Sequence, residues 1–526
     1  MAAKNSVGQA AARSVALVGL DAHLVEVEVD SARGVSNFRM VGLPEAAVRE
    51  SQARVRAALC HLGVLLGEYN LTVNLAPADL RKTGSCFDLA IALGILGAIG
   101  TIEPSRLTGL IFVGELSLTG EVRPVRGVLP ALLGAAARGE RAAIVPRDNG
   151  AEAASIERVS SYAAATLRDV VEHLCGEATL ERATPATPKS VPRRRHAHAD
   201  LAEVRGQAAG RRLLEVAAAG GHNLLMMGPP GAGKTMLARR LPTILPPMTS
   251  DEALEVTAVH SVAGLLRRQS GLLAERPFRA PHHSISAAAL LGGGSPLRPG
   301  EVSLAHHGCL FLDEVFEFPR AVLEGLRQPL EDGLITVCRA RERAEFPARA
   351  LLVAAVNPCP CGYFGDPRDL CDCGKRRVEA YQSRLSGPLL DRIDLQLVLE
   401  PVGLDQLQSA DRGESSAIVA ERVARARQVQ AARHARGEVS ARINATLTVA
   451  DLDRVAQPTG MAMGLLRTAV DHLRLSARGY TKVRRVARTF ADLDGSAAVQ
   501  PGHFREAVDC RKLDLIGSPR RGARAA

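Results

Sequence analysis

The chain has 526 residues, more than one hydrophobic core can serve, so several domains are expected. Hydrophobic residues make up 46% and charged residues 23%, as in an ordinary soluble globular protein, and the net charge of +10 permits a polyanionic partner. No signal peptide, membrane-length apolar run or secreted-type cysteine pattern occurs, so we expect a cytoplasmic protein that does not bind membranes.

The first 175 residues alternate stretches with strand-like and helix-like patterns. Apolar and polar residues alternate in the second half of 14–30, as in a half-buried strand, whereas 45–65 has apolar residues at helical spacing. The other predicted strands are 71–75, 110–116 and 142–145, and the other predicted helices are 87–99 and 130–138. This alternation predicts an α/β domain over residues 1–175.

Composition changes mark the rest of the chain. Residues 176–199 are rich in Pro, Thr and Ala and contain the basic run Arg193–Arg195, which predicts a flexible linker or, alternatively, a basic arm that contacts DNA. Residues 200–400 alternate strands and helices, as a doubly wound nucleotide-binding fold does. Residues 401–526 are helical in pattern and rich in Arg, which predicts a helical lid domain with a basic tail.

The most specific motif lies between a predicted strand and a predicted helix. It reads GPPGAGKT and fits the pattern G-x-x-x-x-G-K-[ST]. In such a loop backbone N–H groups bind phosphates, Lys234 reaches the β- and γ-phosphates, and the Thr235 hydroxyl binds Mg²⁺. The predicted nucleotide-binding residues are Gly228, Pro229, Pro230, Gly231, Ala232, Gly233, Lys234 and Thr235.

Two further apolar runs end in polar residues. The run at 309–312 ends in Asp313, which can hold Mg²⁺ through water, and Glu314, which can polarise the attacking water. The run at 350–356 ends in Asn357, whose amide can orient the lytic water or the γ-phosphate.

An arginine at the end of a predicted helix, Arg392, is a further candidate. In ring ATPases such a side chain reaches the neighbouring subunit's γ-phosphate. The alternative is a surface ion pair with Asp391 or Asp394, which contributes little.

In this order GPPGAGKT, LFLDE, VAAVN and LLDRIDL are similar to the motifs of AAA+ ATPases. Longer stretches resemble the YifB/ComM family of magnesium-chelatase-like AAA+ proteins: 276–283, 292–295, 298–301, 326–332 and 357–362. The resemblance covers nearly the whole chain except the linker. It implies an AAA+ P-loop α/β core with a helical C-terminal lid, and a homo-hexamer that binds ATP between its subunits.

The resemblance also implies roles for individual residues. Lys234 and Thr235 would bind phosphate and Mg²⁺, with Asp313 supporting the metal, and Glu314 would activate water. Asn357 would be sensor 1, Arg392 the arginine finger and Arg478 sensor 2, with Arg485 as the alternative for sensor 2. Residues 204–207 lie where the family closes over adenine.

Two inserts are predicted to face the pore of the ring. Residues 332–346 alternate around a predicted turn, where the resemblance implies a hairpin. Arg339, Arg341 and Arg343 recur with period two, so one strand face or the hairpin tip would offer three guanidiniums to DNA phosphates. The alternative is a solvated hairpin balanced by neighbouring glutamates. The second insert, 276–300, contains paired histidines, for which a structural or DNA-facing role is favoured over metal binding.

Four cysteines are clustered in the pattern C-x-C-x₉-C-x-C. Four thiolates can hold tetrahedral Zn²⁺, although the usual spacing is C-x₂-C. Reduced or redox-active thiols are the alternative. The candidate ligands are Cys359, Cys361, Cys371 and Cys373.

Residues 74–88 and 112–127 resemble the proteolytic domain of Lon, in which a Ser nucleophile needs a Lys base. The nucleophile position falls at Ser85 or Cys86, and the lysine position falls near Pro130, where no base stands. Residues 1–175 are therefore expected to have a Lon-protease-like (ribosomal S5 domain 2-like) α/β fold without peptidase chemistry.

The leading functional hypothesis is an ATP-driven DNA translocase or helicase. The family resemblance implies branch migration in homologous recombination, including natural transformation, on single-stranded or branched DNA. A magnesium-chelatase-type ATPase subunit is the first alternative, disfavoured by the Lon-like domain. A Lon-like ATP-dependent protease is the second, disfavoured by the missing lysine.

Overall fold

The computed structural model describes residues 8–185, 199–339, 342–366, 368, 370–403, 405, 413–473 and 475–511. Side chains are described for these residues except Ala46, Arg339 and Glu342. The basic run of the predicted linker and the basic tail lie outside the described residues. Within the described part, no helix is both long and apolar enough to cross a membrane.

A mixed sheet organises the first part of the chain. The strands are β1 (Gly8–Val18), β2 (Asp21–Arg33), β3 (Asn37–Val41), β4 (Tyr69–Ala76), β5 (Leu110–Phe112), β6 (Glu115–Leu116), β7 (Val122–Arg123), β8 (Ala142–Pro146) and β9 (Ser160–Ala164). Seven of them form one sheet in the order β3-β4-β2-β1-β5-β8-β9, and β6 pairs with β7. The helices are α1 (Ala46–His61), α2 (Asp88–Ala98), α3 (Val128–Ala137), α4 (Gly150–Ala153) and α5 (Leu167–Cys175).

The strand predicted over 14–30 is in fact two strands. β1 and β2 form an antiparallel hairpin in which Val18 pairs with Asp21. Gly19 in the turn has a φ of 65°, which glycine adopts without strain. The turn has only two residues, so the apolar and polar residues of β1 and β2 follow one another almost without interruption. The boundary between the two strands is therefore not apparent from the sequence.

Helix α2 is the predicted buried helix, and every one of its residues is buried. It lies close to the sheet because Gly94 has no side chain: a Cβ there would lie 2.8 Å from Cγ2 of Val29. Apolar side chains of α2 and of the first sheet therefore pack together in one continuous core.

A parallel sheet organises the second part of the chain. Its strands and helices are α6 (Ala208–Gly220), β10 (Leu224–Met227), α7 (Lys234–Ile244), α8 (Ser250–Ala263), β11 (Phe278–Arg279), α9 (Ala287–Leu291), β12 (Gly292–Gly293), β13 (Arg298–Pro299), α10 (Glu301–Leu304), β14 (Cys309–Leu312), α11 (Arg320–Gly325), α12 (Arg327–Asp332), β15 (Leu334–Arg339), β16 (Glu342–Pro347), β17 (Leu351–Val356), α13 (Lys375–Gln382), α14 (Gly387–Leu390) and β18 (Leu395–Val398). The sheet order is β11-β14-β17-β10-β18, and each neighbouring pair is parallel.

The last part of the chain is helical, as predicted. Its helices are α15 (Ser416–Ala435), α16 (Val449–Val455), α17 (Met461–Leu473), α18 (Ala477–Leu493) and α19 (Pro501–Asp509). Side chains of α15 bond to the end of α6: Gln430 Nε2 donates to the Ala219 carbonyl at 2.9 Å and Arg427 to that of Ala218 at 2.8 Å. The lid is therefore docked on the parallel-sheet core by satisfied backbone carbonyls as well as by apolar contact.

The two sheets are joined through α8 and the β15–β16 hairpin. The Gly127 N–H, at the start of α3, donates to Ser261 Oγ of α8 at 3.0 Å. A Cβ at Gly19 would lie 2.8 Å from Cβ of Ala344, so the β1–β2 turn rests directly on the hairpin. Phe346, on the same hairpin, belongs to the small apolar cluster against which Leu20 packs.

Candidate functional site

The carboxyl ends of three adjacent strands form the centre of the candidate site. The glycine-rich loop at 228–235 follows β10, Asp313 and Glu314 follow β14, and Asn357 follows β17. Since β14, β17 and β10 are neighbours and parallel, these segments meet at one edge of the sheet. This is the edge at which open α/β sheets bind ligands.

The loop has the backbone that phosphate binding requires. Gly231 and Gly233 have φ values of 80° and 88°, in the left-handed region. Helix α7 begins at Lys234, immediately after Gly233, so its first N–H groups and its dipole point to the loop. Gln207 Nε2 donates to the Ala232 carbonyl at 3.0 Å, which places the segment predicted to close over adenine beside the loop.

Lys234 is fixed at the centre of the site. Its Nζ donates to the carbonyls of Gly228 at 2.6 Å and Pro229 at 3.0 Å, and to Asn357 Oδ1 at 3.0 Å. Burial lowers the pKa of the ammonium, while the carboxylates of Asp313 and Glu314 oppose this shift. The structure thus brings Lys234 and Asn357, 123 residues apart in the chain, into direct contact.

Thr235 and Asp313 form an oxygen pair suited to Mg²⁺. Thr235 Oγ1 donates to Asp313 Oδ2 at 2.7 Å, and the other carboxylate oxygen accepts the Glu314 N–H at 3.0 Å. Hydroxyl and carboxylate oxygens of this kind are the ligands that Mg²⁺ takes from proteins, with the rest of its shell left to water and phosphate. The two predicted metal residues therefore lie together.

Glu314 has an uncommon backbone conformation and a contact that the sequence did not predict. Its φ of 51° is uncommon for a residue other than glycine, and its carboxylate is half exposed. Nδ1 of His283 lies 3.4 Å from that carboxylate. His283 in turn contacts His282, with ring centroids 4.0 Å apart and the ring planes tilted by 36°. The sequence marked this histidine pair only as part of an insert, since nothing local indicates a contact with the end of β14.

Arg392 does not join the Lys234 group. Its carbonyl accepts a bond from Asn223, the residue before β10, so it lies at the amino end of the sheet. Four residues of strand, about 13 Å, separate that end from the phosphate loop. The Arg392 guanidinium donates to the Arg327 carbonyl at 3.0 Å and to Glu331. Its ion-pair partner is thus Glu331, so the alternative of an ion pair with Asp391 or Asp394 is wrong.

The two candidates for sensor 2 differ in exposure. Arg478, at the start of α18, is 59% exposed at its side chain and donates to Glu331 Oε1 at 3.1 Å. Glu331 therefore joins Arg478 to Arg392. Arg485 is partly buried and donates to the Leu447 carbonyl at 2.8 Å, and burial lowers the pKa of its guanidinium. Arg478 is thus the more exposed of the two candidates, and its assignment as sensor 2 stays a prediction.

The predicted hairpin is present as β15 and β16. Its register pairs Arg339 with Glu342 and Cys338 with Arg343, so positions 339 and 343 fall on opposite faces of the ribbon. The interpretation of one arginine-bearing strand face is therefore wrong, and the hairpin-tip interpretation stays a prediction. Arg343 is exposed and bonds to Glu345 at 2.8 Å. Arg341 lies outside the described residues, as does the side chain of Arg339.

No serine–lysine dyad is formed in the described part of the N-terminal fold. Ser85 Oγ donates to Glu115, whereas Lys82 donates to the Pro77 carbonyl. Cys86 is held against the Val15 carbonyl at 3.7 Å, and burial raises the pKa of its thiol to about 12. Ser85 and Lys82 thus do not bond to each other, and the Ser85 hydroxyl bonds to a carboxylate instead.

The four clustered cysteines come together. Their Sγ atoms all lie within 4.8 Å of one another, and Cys359 is buried while the others are partly buried. Two segments meet here, one directly after Asn357 and one directly before α13.

Comparison with known proteins identifies family models that match three parts of the chain. Models described as magnesium chelatase, subunit ChlI, match residues 200–407; subunit ChlI of Mg-chelatase, residues 27–149; and magnesium chelatase, subunit ChlI C-terminal, residues 413–511. The fold is the predicted α/β class, with an AAA+-type P-loop core followed by a helical lid.

Several relatives match over nearly their whole length. Competence protein ComM of Haemophilus influenzae is 43% identical over 504 residues, which cover 95% of this chain and 97% of that protein. The protein YifB of Escherichia coli is 41% identical over 503 residues, 95% of this chain and 96% of its own. Lon protease 2 of Bacillus subtilis is 26% identical over 165 residues, 28% of this chain and 29% of that protein.

Proposed function

Because this chain belongs to the YifB/ComM family of magnesium-chelatase-like proteins, we propose that it is an ATP-hydrolysing ring motor that translocates and unwinds DNA. The AAA+ family implies an ATPase. The observation that carries this part of the proposal is the contact of Lys234 Nζ with Asn357 Oδ1, because it joins the phosphate loop to the sensor strand.

Each side chain at the sheet edge has a task in hydrolysis. Lys234 and the N–H groups of the loop bind the β- and γ-phosphates, and Asn357 orients the γ-phosphate or the lytic water. Thr235 and Asp313 hold Mg²⁺, which neutralises charge that develops on the phosphates. Glu314 accepts the proton of the attacking water.

The positions of two arginines support a site shared between subunits. Arg392 and Arg478 meet at Glu331, near the amino end of the sheet and away from the phosphate loop of the same subunit. We infer that they act on ATP held by a neighbouring subunit, with Arg392 as the arginine finger. Such a contact, repeated head to tail, forms a ring when its rotation closes, and the family resemblance gives six as the proposed number of subunits.

DNA is the proposed substrate of the motor. In the sequence Arg341 stands between Arg339 and Arg343, of which Arg343 is exposed, and the chain has a net charge of +10. Guanidiniums bind the DNA backbone without regard to sequence, which suits a translocating motor. The relative ComM is named a competence protein, which supports branch migration during recombination of incoming DNA as the biological task.

Unwinding of forked and branched DNA tests this function. Purified protein with ATP and Mg²⁺ is expected to separate a labelled fork and a four-way junction, and DNA at low salt is expected to raise the ATPase rate. The Lys234→Ala variant, which is expected not to bind nucleotide, is the negative control. An ATPase that is active but indifferent to every nucleic acid, and that leaves forks intact, would contradict a DNA motor.

A magnesium-chelatase-type subunit is the second candidate. Models described as subunit ChlI match three parts of the chain, including residues 27–149. The Lon-like part therefore cannot count against this alternative, contrary to the expectation from sequence. Stimulation of the ATPase by a porphyrin-bearing partner instead of DNA would favour it.

A Lon-like protease is not favoured by the site. The Ser85 hydroxyl and the Lys82 ammonium bond to different partners, so they do not form the serine–lysine pair that a Lon-type protease needs.

A further inference from the structure

The four cysteines form a cage outside the nucleotide-binding residues. Cys359 and Cys361 come from the loop after β17, and Cys371 and Cys373 from the segment before α13. Gly362, with a φ of 89°, lets the chain reverse directly after Cys361. This turn directs the first pair of thiols back toward the second pair.

Two of the Sγ separations match a single tetrahedral ion. With Zn–S bonds of about 2.3 Å, ligand sulfurs lie about 3.8 Å apart. Sγ of Cys371 lies 3.8 Å from that of Cys359 and 3.7 Å from that of Cys361. The Cys359–Cys361 separation of 3.2 Å is too long for a disulfide, whose S–S bond is about 2.05 Å. All four cysteines are free thiols.

The surroundings also suit thiolates. The Phe364 N–H donates to Cys359 Sγ at 3.3 Å, and such a bond orients and stabilises a metal-bound sulfur. A cage this small accommodates one ion, since a multi-iron cluster would place several metal and sulfide atoms between the thiolates.

A second group with the composition of a metal site contains a histidine without a free ring nitrogen. Glu255, His306 and His307 lie together. Nδ1 of His306, however, accepts the Arg349 N–H at 3.0 Å, so its Nε2 carries the proton and donates to Glu255 at 2.8 Å. His306 therefore offers no nitrogen to an ion in this arrangement, and the cysteine cage is the group taken further.

The cage touches the phosphate loop. A Cβ at Gly362 would lie 2.6 Å from Cδ of Pro230, so the turn between the cysteines packs directly on the loop. Asn357 stands two residues before Cys359, and Gln382 of α13 donates to the Pro358 carbonyl between them at 2.9 Å. The position of the cage therefore determines where Asn357 and Pro230 stand.

We propose that Cys359, Cys361, Cys371 and Cys373 bind one structural Zn²⁺ ion as four thiolates, and that this ion holds the Asn357 segment against the phosphate loop. Binding deprotonates the thiols and closes the loop between the two cysteine pairs. The proposal that the cysteines bind zinc does not depend on the proposed motor function. The proposal that zinc affects nucleotide binding rests on that function.

Elemental analysis of the full-length protein tests the metal. Wild type purified without chelator is expected to hold close to one zinc per chain, and Cys371→Ser and Cys373→Ser are expected to lose it. Cys60→Ser changes an exposed cysteine outside the cage and is the matched control, expected to keep the zinc. Wild type without stoichiometric zinc, or with iron in its place, or variants that keep zinc in full, would overturn the proposal.

Cobalt substitution gives a readout that needs no variant. Apoprotein titrated with Co²⁺ is expected to show the intense visible bands and thiolate charge transfer of a tetrahedral four-sulfur site. Spectra of an octahedral or oxygen-ligated ion, or a thiol count that shows disulfides in freshly purified protein, would contradict four-thiolate binding.

The coupling to the nucleotide site is tested by zinc removal. A mercurial titrant followed by a chelator releases the ion, and binding of a fluorescent ATP analogue is then measured, with circular dichroism to verify that the fold persists. We expect affinity to fall about tenfold and to recover when zinc is restored, because the displaced Asn357 segment no longer supports the loop. An unchanged affinity for the ATP analogue in folded, zinc-free protein would refute the coupling. The zinc site is tested separately by elemental analysis, and the motor function by DNA unwinding.

Discussion

His283 Nδ1 lies 3.4 Å from the carboxylate of Glu314. The histidine belongs to the insert at 276–300 and the carboxylate to the end of β14, so a segment predicted to face the pore contacts the proposed catalytic base. If the proposed motor binds DNA at this insert, we expect DNA to influence hydrolysis through the contact with Glu314.

Replacing His283 by Ala tests this control. We expect Glu314 to be freed in the absence of DNA, so that the basal ATPase rate rises and the ratio of DNA-stimulated to basal rate falls about fivefold or more. Steady-state ATPase assays with and without single-stranded DNA measure the ratio. His472→Ala, an exposed histidine on α17, is the control. An unchanged ratio would mean that the contact is only structural.

Substitutions at Lys234 and Glu314 should affect different steps, the first nucleotide binding and the second hydrolysis. Lys234→Ala removes the ammonium from the loop, so nucleotide binding itself should be lost. Glu314→Gln keeps the shape and loses the base, so binding should persist while hydrolysis falls about 10²- to 10⁴-fold. Isothermal titration with ATP and a phosphate-release assay separate the two effects. Glu317→Gln, an exposed neighbour, should retain activity; equal losses in both glutamate variants would contradict a specific role for Glu314.

Mixed assemblies test whether Arg392 acts across a subunit contact. Lys234→Ala and Arg392→Ala proteins should each be inactive alone, the second by about 10³-fold or more. Mixed in equal amounts and allowed to exchange subunits, they should regain about a quarter of the wild-type rate, since half of the loops and half of the arginines are intact. An arginine that served its own subunit would restore nothing.

The arginines of the hairpin should determine DNA affinity and not nucleotide affinity. In a variant with Arg339, Arg341 and Arg343 replaced by Ala, we expect more DNA to be needed for half-maximal ATPase stimulation. The slope of log affinity against log salt should fall by about one for each DNA phosphate that the variant no longer binds. Arg436→Ala, an exposed arginine of the lid, is the control. Unaltered DNA affinity and salt slope would exclude the hairpin as the DNA-binding element.

The buried carboxylate of Asp394 forms an ion pair with Lys482 of the lid, and its contribution to the free energy of unfolding depends on pH. Burial alone would raise the pKa of Asp394, but Lys482 at 2.9 Å and His222 overcome this and hold the pKa well below its usual value. A depressed pKa means stability that is present above the unfolded value of about 3.9 and is lost as pH falls through it toward the folded pKa.

Asp394→Asn should therefore lower the free energy of unfolding at pH 7 by about 3 kcal/mol, because it leaves Lys482 buried without its anion. The difference from wild type should shrink as pH falls below about 4. Denaturant titrations at several pH values measure both, with Asp391→Asn as the control. A difference that stayed constant with pH would show that the carboxylate is not ionised in the fold.

Much of the nucleotide site could be predicted from sequence, because its parts are local. A glycine-rich loop before a helix, and polar residues directly after apolar runs, lie within a few residues of the elements that position them. Asp313, Glu314 and Asn357 are predictable for this reason. His283 is not, because its contact with Glu314 joins two segments of unrelated pattern.

Residue type and short spacing were enough to predict the chemical groups of this protein: the phosphate loop, the acidic strand end and the four thiols. Which of the distant groups meet is visible only in the fold. The pairing of parallel strands brings Asn357 to Lys234 and leaves Arg392 at the opposite end of the sheet. Packing of α18 brings Arg478 to the same glutamate as Arg392. Such contacts depend on the order of strands and the docking of helices, which side-chain spacing along one chain does not encode.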